Sequence, residues 1–270
     1  MERPCFCVYG SHGYIGTELY EYLKERYLYV IGISRREIDL EKPFSRDDVL
    51  KQFMTKFPAL FSTTSLANFP IVFVNCAAVA NTSSKSTFDI IQNVSILINE
   101  LRIVEKDDVF IQISSCYSIV NSPYGNSKRI CDDIIESFKE CRTHSLKINY
   151  PFGAIKTLPR NGIIGKIYRN EHLNLFEEAL RNPSVFCYIG DILKMVEKIA
   201  NKEIEKQIVM CPGYEMTLGD FIQFYEMNNG TLFKTITKNK DFKPVKIRYN
   251  INWYGIEQTP FKKMFFNQFL

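Results

Sequence analysis

The sequence predicts an α/β fold built on a doubly wound parallel sheet, and three observations support this. Short apolar segments alternate with segments of helical apolar spacing over residues 1–150, a pattern typical of βαβ units. A glycine-rich turn follows the first apolar segment. After Tyr150, glycine and proline interrupt a looser segment. We therefore expect a main domain at residues 1–150 and a smaller C-terminal lobe at residues 151–270.

The individual elements follow from the apolar pattern. The expected strands are 6–9, 29–33, 71–75, 109–113 and 146–148, and the expected helices are 17–26, 47–57, 87–101, 127–141, 172–180, 192–200 and 218–227. The helix over 87–101 is clear because Phe88, Ile91 and Val94 recur at helical spacing. Right-handed crossovers between parallel strands then place ligands outside the carboxyl ends of the strands.

Composition and charge argue against several other classes of protein. The chain has 34 basic and 30 acidic residues, a net charge of +4, without the basic stripe of a nucleic-acid surface. No segment approaches the roughly 18 apolar residues that a membrane span needs, and residues 1–4 do not begin a secretory signal. The eight cysteines include no CxxC pair, so we expect free thiols and no metal site. The sequence thus indicates a cytoplasmic protein without nucleic-acid or membrane partners.

The turn between the first strand and the first helix is typical of a phosphate-binding site. It reads Gly10, Ser11, His12, Gly13, Tyr14, Ile15 and Gly16. Glycines let backbone N–H groups approach a pyrophosphate, and the helix N-terminus adds the positive end of its dipole. The alternative is an ordinary βα turn that happens to be rich in glycine. We expect this turn to bind a dinucleotide, which makes the predicted fold a Rossmann-type one.

The end of the second strand discriminates between cofactors. An acidic residue there would bind the adenosine ribose and repel a 2′-phosphate, whereas this chain has Ser34, Arg35 and Arg36. Two guanidinium groups suit bidentate recognition of a phosphate. The alternative is a solvated pair of surface arginines. The sequence therefore favours NADP(H) over NAD(H).

A tyrosine and a lysine four residues apart, Tyr124 and Lys128, lie at the start of a helix after the fourth strand. This spacing places both side chains on one helix face. Reduction of a carbonyl needs a proton donor, and free tyrosine is a poor acid–base group at neutral pH. A neighbouring ammonium favours the phenolate and improves that role. The pair therefore predicts a catalytic acid with its supporting lysine.

These motifs make the chain resemble the extended short-chain dehydrogenase/reductases, the NAD-dependent epimerase/dehydratase family. The GxxGxxG spacing of the turn and the tyrosine–lysine pair carry the resemblance, which extends over nearly the whole chain. The stretch 35–40 is most similar to dTDP-4-dehydrorhamnose reductases and GDP-fucose synthases. The resemblance implies an NADP-binding Rossmann domain and a substrate-binding lobe, with the chain near residues 185–200 returning to the main sheet. It also implies a homodimer formed by the helices near Thr87 and Ser127.

The same resemblance assigns further residues. It implies that Asp39 and Leu40 approach the adenine, that Cys76, Ala77 and Ala78 pass close to the cofactor, that Lys128 holds the nicotinamide ribose, and that Tyr150 passes the nicotinamide. For the residue that polarises the carbonyl, alignment on the strand favours Ser115 and a match to the Ser-Ser-Cys tripeptide favours Ser114. Asn93 matches the family's helix asparagine, and its alternative role is to hold backbone or a water.

The residues at the positions expected to be catalytic argue against some of the reactions that this family catalyses. The acidic pair of the dehydratases is replaced by Cys116 and Tyr117, and the histidine that the epimerase/reductases carry after Gly153 is absent from residues 154–157. We therefore expect NADPH-dependent reduction of a nucleotide-linked 4-keto-6-deoxy sugar in surface polysaccharide biosynthesis. One alternative is a nucleotide-sugar 4-epimerase with tightly bound NAD(P). The other is an inactive dinucleotide-binding regulatory protein, which the short stretch between Ser115 and Tyr124 suggests.

Overall fold

A computed structural model of the chain describes residues 4–61, 70–79, 86–153, 162–176, 180–181, 183–229 and 236–239. Packing divides the chain into two compact units. The first unit is Met1–Lys147 with Val196–Val209, and the second is Ile148–Met195 with Met210–Leu270. These units are defined by packing alone. That the first binds the cofactor and the second binds the substrate therefore remains a prediction.

A six-stranded parallel sheet forms the centre of the fold, which confirms the predicted α/β class. Its strands, in chain order, are β1 (Cys5–Tyr9), β2 (Val30–Ile33), β3 (Ile71–Asn75), β4 (Val109–Ser115), β5 (Arg142–Ile148) and β8 (Ile208–Met210). Their spatial order is β2-β1-β3-β4-β5-β8. Every residue of β1, β3 and β4 is buried, as expected for strands with both faces covered.

Helices formed by the described residues include α1 (Tyr14–Lys24), α2 (Arg46–Lys56), α3 (Pro58–Phe61), α4 (Phe88–Leu101), α5 (Pro123–Ser137), α6 (Gly162–Tyr168), α7 (Ile189–Ala200) and α8 (Leu218–Asn229). A short 3-10 helix, Cys116–Ile119, follows β4 directly. None of the helices in the described ranges is long and apolar enough to cross a membrane.

Helix α5 begins four residues earlier than the predicted start at 127 and ends at Ser137 rather than at 141. The early start has a local cause, because the Ser122 side chain accepts a hydrogen bond from the Gly125 N–H and Pro123 occupies the first helical position. As a result, Tyr124 and Lys128 both lie inside the first two turns of α5.

The predicted helix over 172–180 is wrong over residues 173–176. Residues Leu173–Phe176 form strand β6, which pairs in parallel with β10 (Ile236–Asn239) in the second unit. Leu173 and Leu175 are buried, two residues apart, which is the period of a strand. A partner some sixty residues further along the chain therefore overrides the local helical pattern.

The second unit also contains an antiparallel pair and an aromatic cluster. Strand β7 (Pro183–Phe186) pairs with β9 (Tyr214–Thr217). The ring of Phe221, on α8, stacks on Phe186 at 4.8 Å and meets Phe152 edge-on at 5.4 Å. Most of the basic, aromatic stretch 227–270 lies outside the described residues.

Candidate active site and family membership

The glycine-rich turn after β1 adopts a conformation that requires glycine at its first position. Gly10 has φ of +71°, and a Cβ atom built there would lie 2.7 Å from the backbone nitrogen of Ala77. The turn closes with a hydrogen bond of 2.9 Å from the Gly13 N–H to the Gly10 carbonyl. A side chain at residue 10 would therefore push apart the β1 and β3 ends of the sheet.

The same turn leaves a cradle for an anion at the start of α1. Gly13 is the N-cap and has no side chain to cap the helix, and the first turn contains no acidic residue. His12 is exposed, Tyr14 and Ile15 are half-buried, and Gly16 is buried. Uncapped N–H groups at a helix start suit a phosphate, so the turn fits the pyrophosphate of a dinucleotide.

The charged residues of the turn after β2 have different partners. The N–H and hydroxyl of Ser34 both donate to Glu37, at 2.7 and 2.6 Å. Burial raises the pKa of the Glu37 carboxyl, but these hydrogen bonds outweigh it and leave the pKa lowered. Arg35 forms an ion pair with Glu41, whereas exposed Arg36 makes no ion pair with any described residue. Arg36 is therefore the cation in this turn with its charge available to a ligand.

The two residues expected near the adenine face different surroundings. Asp39 forms an ion pair with Lys42 at 3.2 Å, and the hydrogen bond from Lys42 lowers its pKa. Leu40 is buried in the core of the first unit, and its carbonyl accepts a hydrogen bond from Asn99. Their contact with a cofactor stays a prediction.

The chain leaves β3 through a turn that Asn75 shapes, a residue that sequence reasoning did not single out. Its side-chain carbonyl oxygen accepts a hydrogen bond of 2.7 Å from the Ala77 N–H, and its side-chain amide donates to the Gln112 side-chain oxygen at 3.0 Å. The turn carries Cys76, whose pKa is raised to about 12 by burial and then by Glu100. Cys76 therefore remains a neutral thiol beside the glycine turn, and Ala78 follows it. An asparagine at a strand end is the signal that could have found this residue.

Asn93 has the backbone-holding role that the sequence left as an alternative. Its side-chain carbonyl accepts from the Val79 N–H at 2.7 Å, and its amide donates to the Val79 carbonyl and to Ser127. Ser127 in turn donates to the Tyr124 carbonyl at 2.7 Å. Asn93 thus connects the β3 exit to the first turn of α5.

Tyr124 and Lys128 lie together at the start of α5. Their exposed fractions are 9% and 3%, and the Lys128 ammonium lies 5.9 Å from the centre of the Tyr124 ring. The ammonium donates to the Ile113 carbonyl of β4 at 3.3 Å. The arrangement places a buried positive charge beside a tyrosine at the carboxyl end of the sheet.

The two candidate serines point to different partners. Ser114 donates to the buried Asp132 carboxylate at 2.7 Å. Ser115 is the last residue of β4, and its hydroxyl oxygen accepts from the Tyr117 N–H at 3.2 Å. The Ser115 hydroxyl donates to none of the described residues, so its proton is available to a ligand, whereas that of Ser114 is engaged.

The short stretch between Ser115 and Tyr124 packs directly onto α5. A Cβ atom on Gly125 would lie 2.1 Å from the Val120 carbonyl oxygen and 2.5 Å from that of Tyr117. The stretch contains the 3-10 helix and is closed by a hydrogen bond of 2.8 Å from the Val120 N–H to the Tyr117 carbonyl. Gly125 thus permits the close approach that holds the stretch compact, a role that sequence reasoning missed.

All the predicted site residues except Tyr150 belong to the first unit. Most of them lie at or just after the carboxyl ends of β1 to β4, the sheet edge at which α/β proteins bind ligands, whereas Asn93 lies within α4 and Tyr124 and Lys128 lie in the first two turns of α5. Tyr150 belongs to the second unit, where it has φ of +35° and its ring stacks on Phe186 at 5.0 Å. Residues 154–157, where the epimerase histidine is missing, lie outside the described residues.

Comparisons with known proteins agree with this architecture. The model of the NAD-dependent epimerase/dehydratase family matches residues 6–210, well over half of the chain. A comparison with curated protein sequences finds no match. Among solved structures, a GDP-L-fucose synthetase from Naegleria fowleri bound to NADP is similar, with a TM-score of 0.67 and 15% identity over 99% of this chain and 92% of that one.

Two further structures are also similar. A dTDP-4-dehydrorhamnose reductase from Bacillus anthracis in complex with NADP has a TM-score of 0.67 and 14% identity over 100% of this chain and 98% of that one. A UDP-glucose 4-epimerase from Thermotoga maritima with UDP-glucose has a TM-score of 0.64 and 15% identity, covering 87% and 85%. At these identities the likeness shows the fold, while the family model shows membership: the chain belongs to the NAD-dependent epimerase/dehydratase family.

Proposed function

We propose that the protein is an NADPH-dependent reductase of a nucleotide-linked 4-keto-6-deoxy sugar used in surface polysaccharide biosynthesis. The observation that carries the proposal is the buried pair Tyr124 and Lys128 next to the strand end at Ser115. Reduction of a ketone needs a proton donor and a polarising hydrogen bond, and these three side chains provide both. No further acid or base is required.

Each residue has a distinct part in the proposed reaction. When bound, NADPH supplies the hydride that reduces the ketone. Ser115 donates a hydrogen bond to the carbonyl oxygen, and Tyr124 transfers its phenolic proton to the alkoxide that forms. Lys128 stabilises the resulting phenolate through its positive charge. Ser115 is preferred over Ser114 because Ser114 already donates to Asp132.

The preference for NADPH rests on Arg36. Its guanidinium is exposed and has no ionic partner among the described residues, so it can bind a 2′-phosphate. The acid that would favour NADH at this turn, Glu37, already accepts two hydrogen bonds from Ser34. Two of the similar structures hold NADP, which supports the same choice.

The test is NADPH oxidation, followed at 340 nm, with a panel of nucleotide-linked 4-keto-6-deoxy sugars. We expect stoichiometric oxidation with at least one of them. A 4-epimerase would convert a nucleotide sugar without net change of cofactor, and an inactive regulatory protein would bind NADPH without any turnover. Either result would contradict the proposed reductase activity and favour the corresponding alternative.

We also propose a homodimer. Phe88, Ile91 and Ile98 lie on one face of α4 and are 77%, 59% and 42% exposed. An apolar face of this kind favours association. Sedimentation of the protein and of an Ile91→Asp variant tests this, since a dimer should become a monomer.

The eight free thiols support a reducing compartment such as the cytoplasm.

A further inference from the structure

A buried polar network lies directly behind the candidate site. The Asp132 carboxylate, on α5, accepts hydrogen bonds from the hydroxyls of Ser114 and Ser145. Its other oxygen forms an ion pair with the Lys147 ammonium at 3.0 Å, and that ammonium also donates to the Ser118 hydroxyl at 3.1 Å. The exposed fractions of the Asp132 and Lys147 side chains are only 6% and 19%.

The network includes residues from the two elements that carry the proposed catalytic groups, β4 and α5. Ser114 immediately precedes Ser115 on β4, and Ser118 lies in the 3-10 helix that follows it. Asp132 lies on α5, one turn beyond Lys128. The network therefore joins the strand end that carries Ser115 to the helix that carries the tyrosine–lysine pair.

The energetics favour a role in positioning. Removing two charges from water costs roughly what their attraction returns, so a buried ion pair contributes little net stability. Hydrogen bonds between rigid elements nevertheless fix their geometry, and a misplacement of about 1 Å at a reacting group can cost about 100-fold in rate. The Lys147 ammonium bridges α5 and the turn after Ser115, which is where such a misplacement would occur.

We propose that Asp132 and Lys147 are positioning residues that hold Ser115 and its 3-10 turn at a fixed place relative to Tyr124. The inference rests on the proposed reductase function. In this role, neither residue needs to contact the reacting atoms. Both act through Ser115, by way of Ser114 and Ser118, which flank it in β4 and in the turn.

The chain offers a matched control in the same unit. Asp108 forms a second buried ion pair with Arg46, at 2.6 Å, and its side chain is 1% exposed. It also accepts the N–H of Ile71, the first residue of β3, so it lies at the amino end of the sheet, away from the site. An Asp108→Asn variant therefore breaks a comparable ion pair at the opposite edge of the same sheet.

The first measurement is amide hydrogen exchange, which requires no turnover. The N–H groups of Tyr117 and Val120 report on the turn, because they donate to Ser115 and to the Tyr117 carbonyl. We expect both to exchange at least tenfold faster in Asp132→Asn and Lys147→Met, beyond any change in global stability, and not in Asp108→Asn. If the charge variants fail to fold, Ser118→Ala replaces them in this test. It removes only one hydrogen bond, so it should give a smaller increase in the exchange rate. Unchanged exchange at both amides in the folded variants would overturn the proposal.

The second measurement is a kinetic double-mutant cycle. Asp132→Asn and Lys147→Met should each lower kcat at least tenfold while leaving NADPH affinity unchanged, and Lys147→Arg should recover most of the loss. In a Ser115→Ala background the same changes should cost almost nothing further, because they act through that serine. An equal loss with and without Ser115 would show a merely structural role. If the unaltered protein oxidises no NADPH with any ketone, the reductase proposal fails, and hydrogen exchange alone decides the network.

Discussion

Two buried carboxylates, Asp132 and Asp108, hold opposite ends of the same parallel sheet, and they do so with different partners. Asp108 accepts backbone N–H groups from Ile71 and Glu105 and a bidentate pair of hydrogen bonds from Arg46. Among the described residues, the partners of Asp132 are all side chains: two hydroxyls and an ammonium. The first arrangement ties the backbone at the strand starts, and the second ends in side chains that flank Ser115.

The difference indicates which edge of the sheet, at the amino or at the carboxyl ends of its strands, can carry catalytic side chains. At the amino edge the carboxylate is saturated by backbone and arginine, so its charge serves the fold. At the carboxyl edge the partners are hydroxyls and a lysine, and two of these side chains flank the proposed catalytic Ser115. A substitution at the amino edge should therefore change stability, and one at the carboxyl edge should change turnover.

The largest expected effect is on turnover at the carboxyl edge. Tyr124→Phe keeps the ring and removes the proton donor, so kcat should fall by about 10²–10⁴-fold, the usual contribution of general acid catalysis. NADPH affinity, measured by fluorescence titration, should not change. The matched control is Tyr22→Phe, since the Tyr22 hydroxyl bonds to Glu197 rather than to any site residue. Normal turnover in Tyr124→Phe would assign the proton to another group.

A smaller effect is expected on cofactor choice. Arg36→Ala should weaken NADPH binding by about tenfold or more, about 1.4 kcal/mol, and leave NADH binding nearly unchanged. Arg35→Ala is the matched control, because the Arg35 guanidinium already pairs with Glu41 and should contribute less. Equal affinity of the unaltered protein for both cofactors would remove the basis of the prediction.

A last expected effect, on stability rather than on turnover or cofactor choice, concerns a third buried carboxyl, Glu100, which is fully buried and makes no hydrogen bond with any described residue. Burial raises its pKa well above the ordinary value, and nearby Lys128 opposes this only in part. When a carboxyl has a higher pKa in the folded than in the unfolded state, the protein becomes less stable as the pH rises. The loss begins near the pKa of the unfolded state, about 4.3, and continues up to the pKa of the folded state. Its contribution is fully present only below that range.

Glu100→Gln should therefore become more stable relative to the unaltered protein as the pH rises from 4 to 8. The gain is about 1.4 kcal/mol for each unit by which burial raises the pKa across that range. Urea unfolding at several pH values measures it. Glu25→Gln, at a position 65% exposed, is the control and should show no such trend. Parallel pH profiles for the Glu100 variant and the unaltered protein would mean that this carboxyl is not neutral in the folded state.

Local patterns were enough to predict the features made by neighbouring residues. The glycine turn at Gly10 and the pair Tyr124 and Lys128 depend on spacing within one βα unit, and they follow β1 and β4 in the predicted order. The start of α5 was missed because its cap at Ser122 was overlooked, although the signal is local. A Ser-Pro pair at a helix start would have indicated it.

The remaining features depend on contacts between distant parts of the chain. Strand β6 forms because β10 pairs with it. The engagement of Ser114 by Asp132, which separates the two candidate serines, depends on how α5 packs on β4. Likewise, the link from Lys147 to Ser118 spans 29 residues. Such pairings follow from packing, which apolar periodicity does not specify.

The central claim, ketone reduction without proton exchange at neighbouring carbons, is tested most directly by running the reaction in deuterated water. With a nucleotide-linked 4-keto-6-deoxy sugar and unlabelled NADPH, we predict one NADPH oxidised per sugar reduced. Mass spectrometry and NMR of the product should show no deuterium on carbon, because the new carbinol hydrogen does not come from solvent. Deuterium at C3 or C5 that depends on the enzyme would contradict the account and would direct attention to Cys116 as an acid or base.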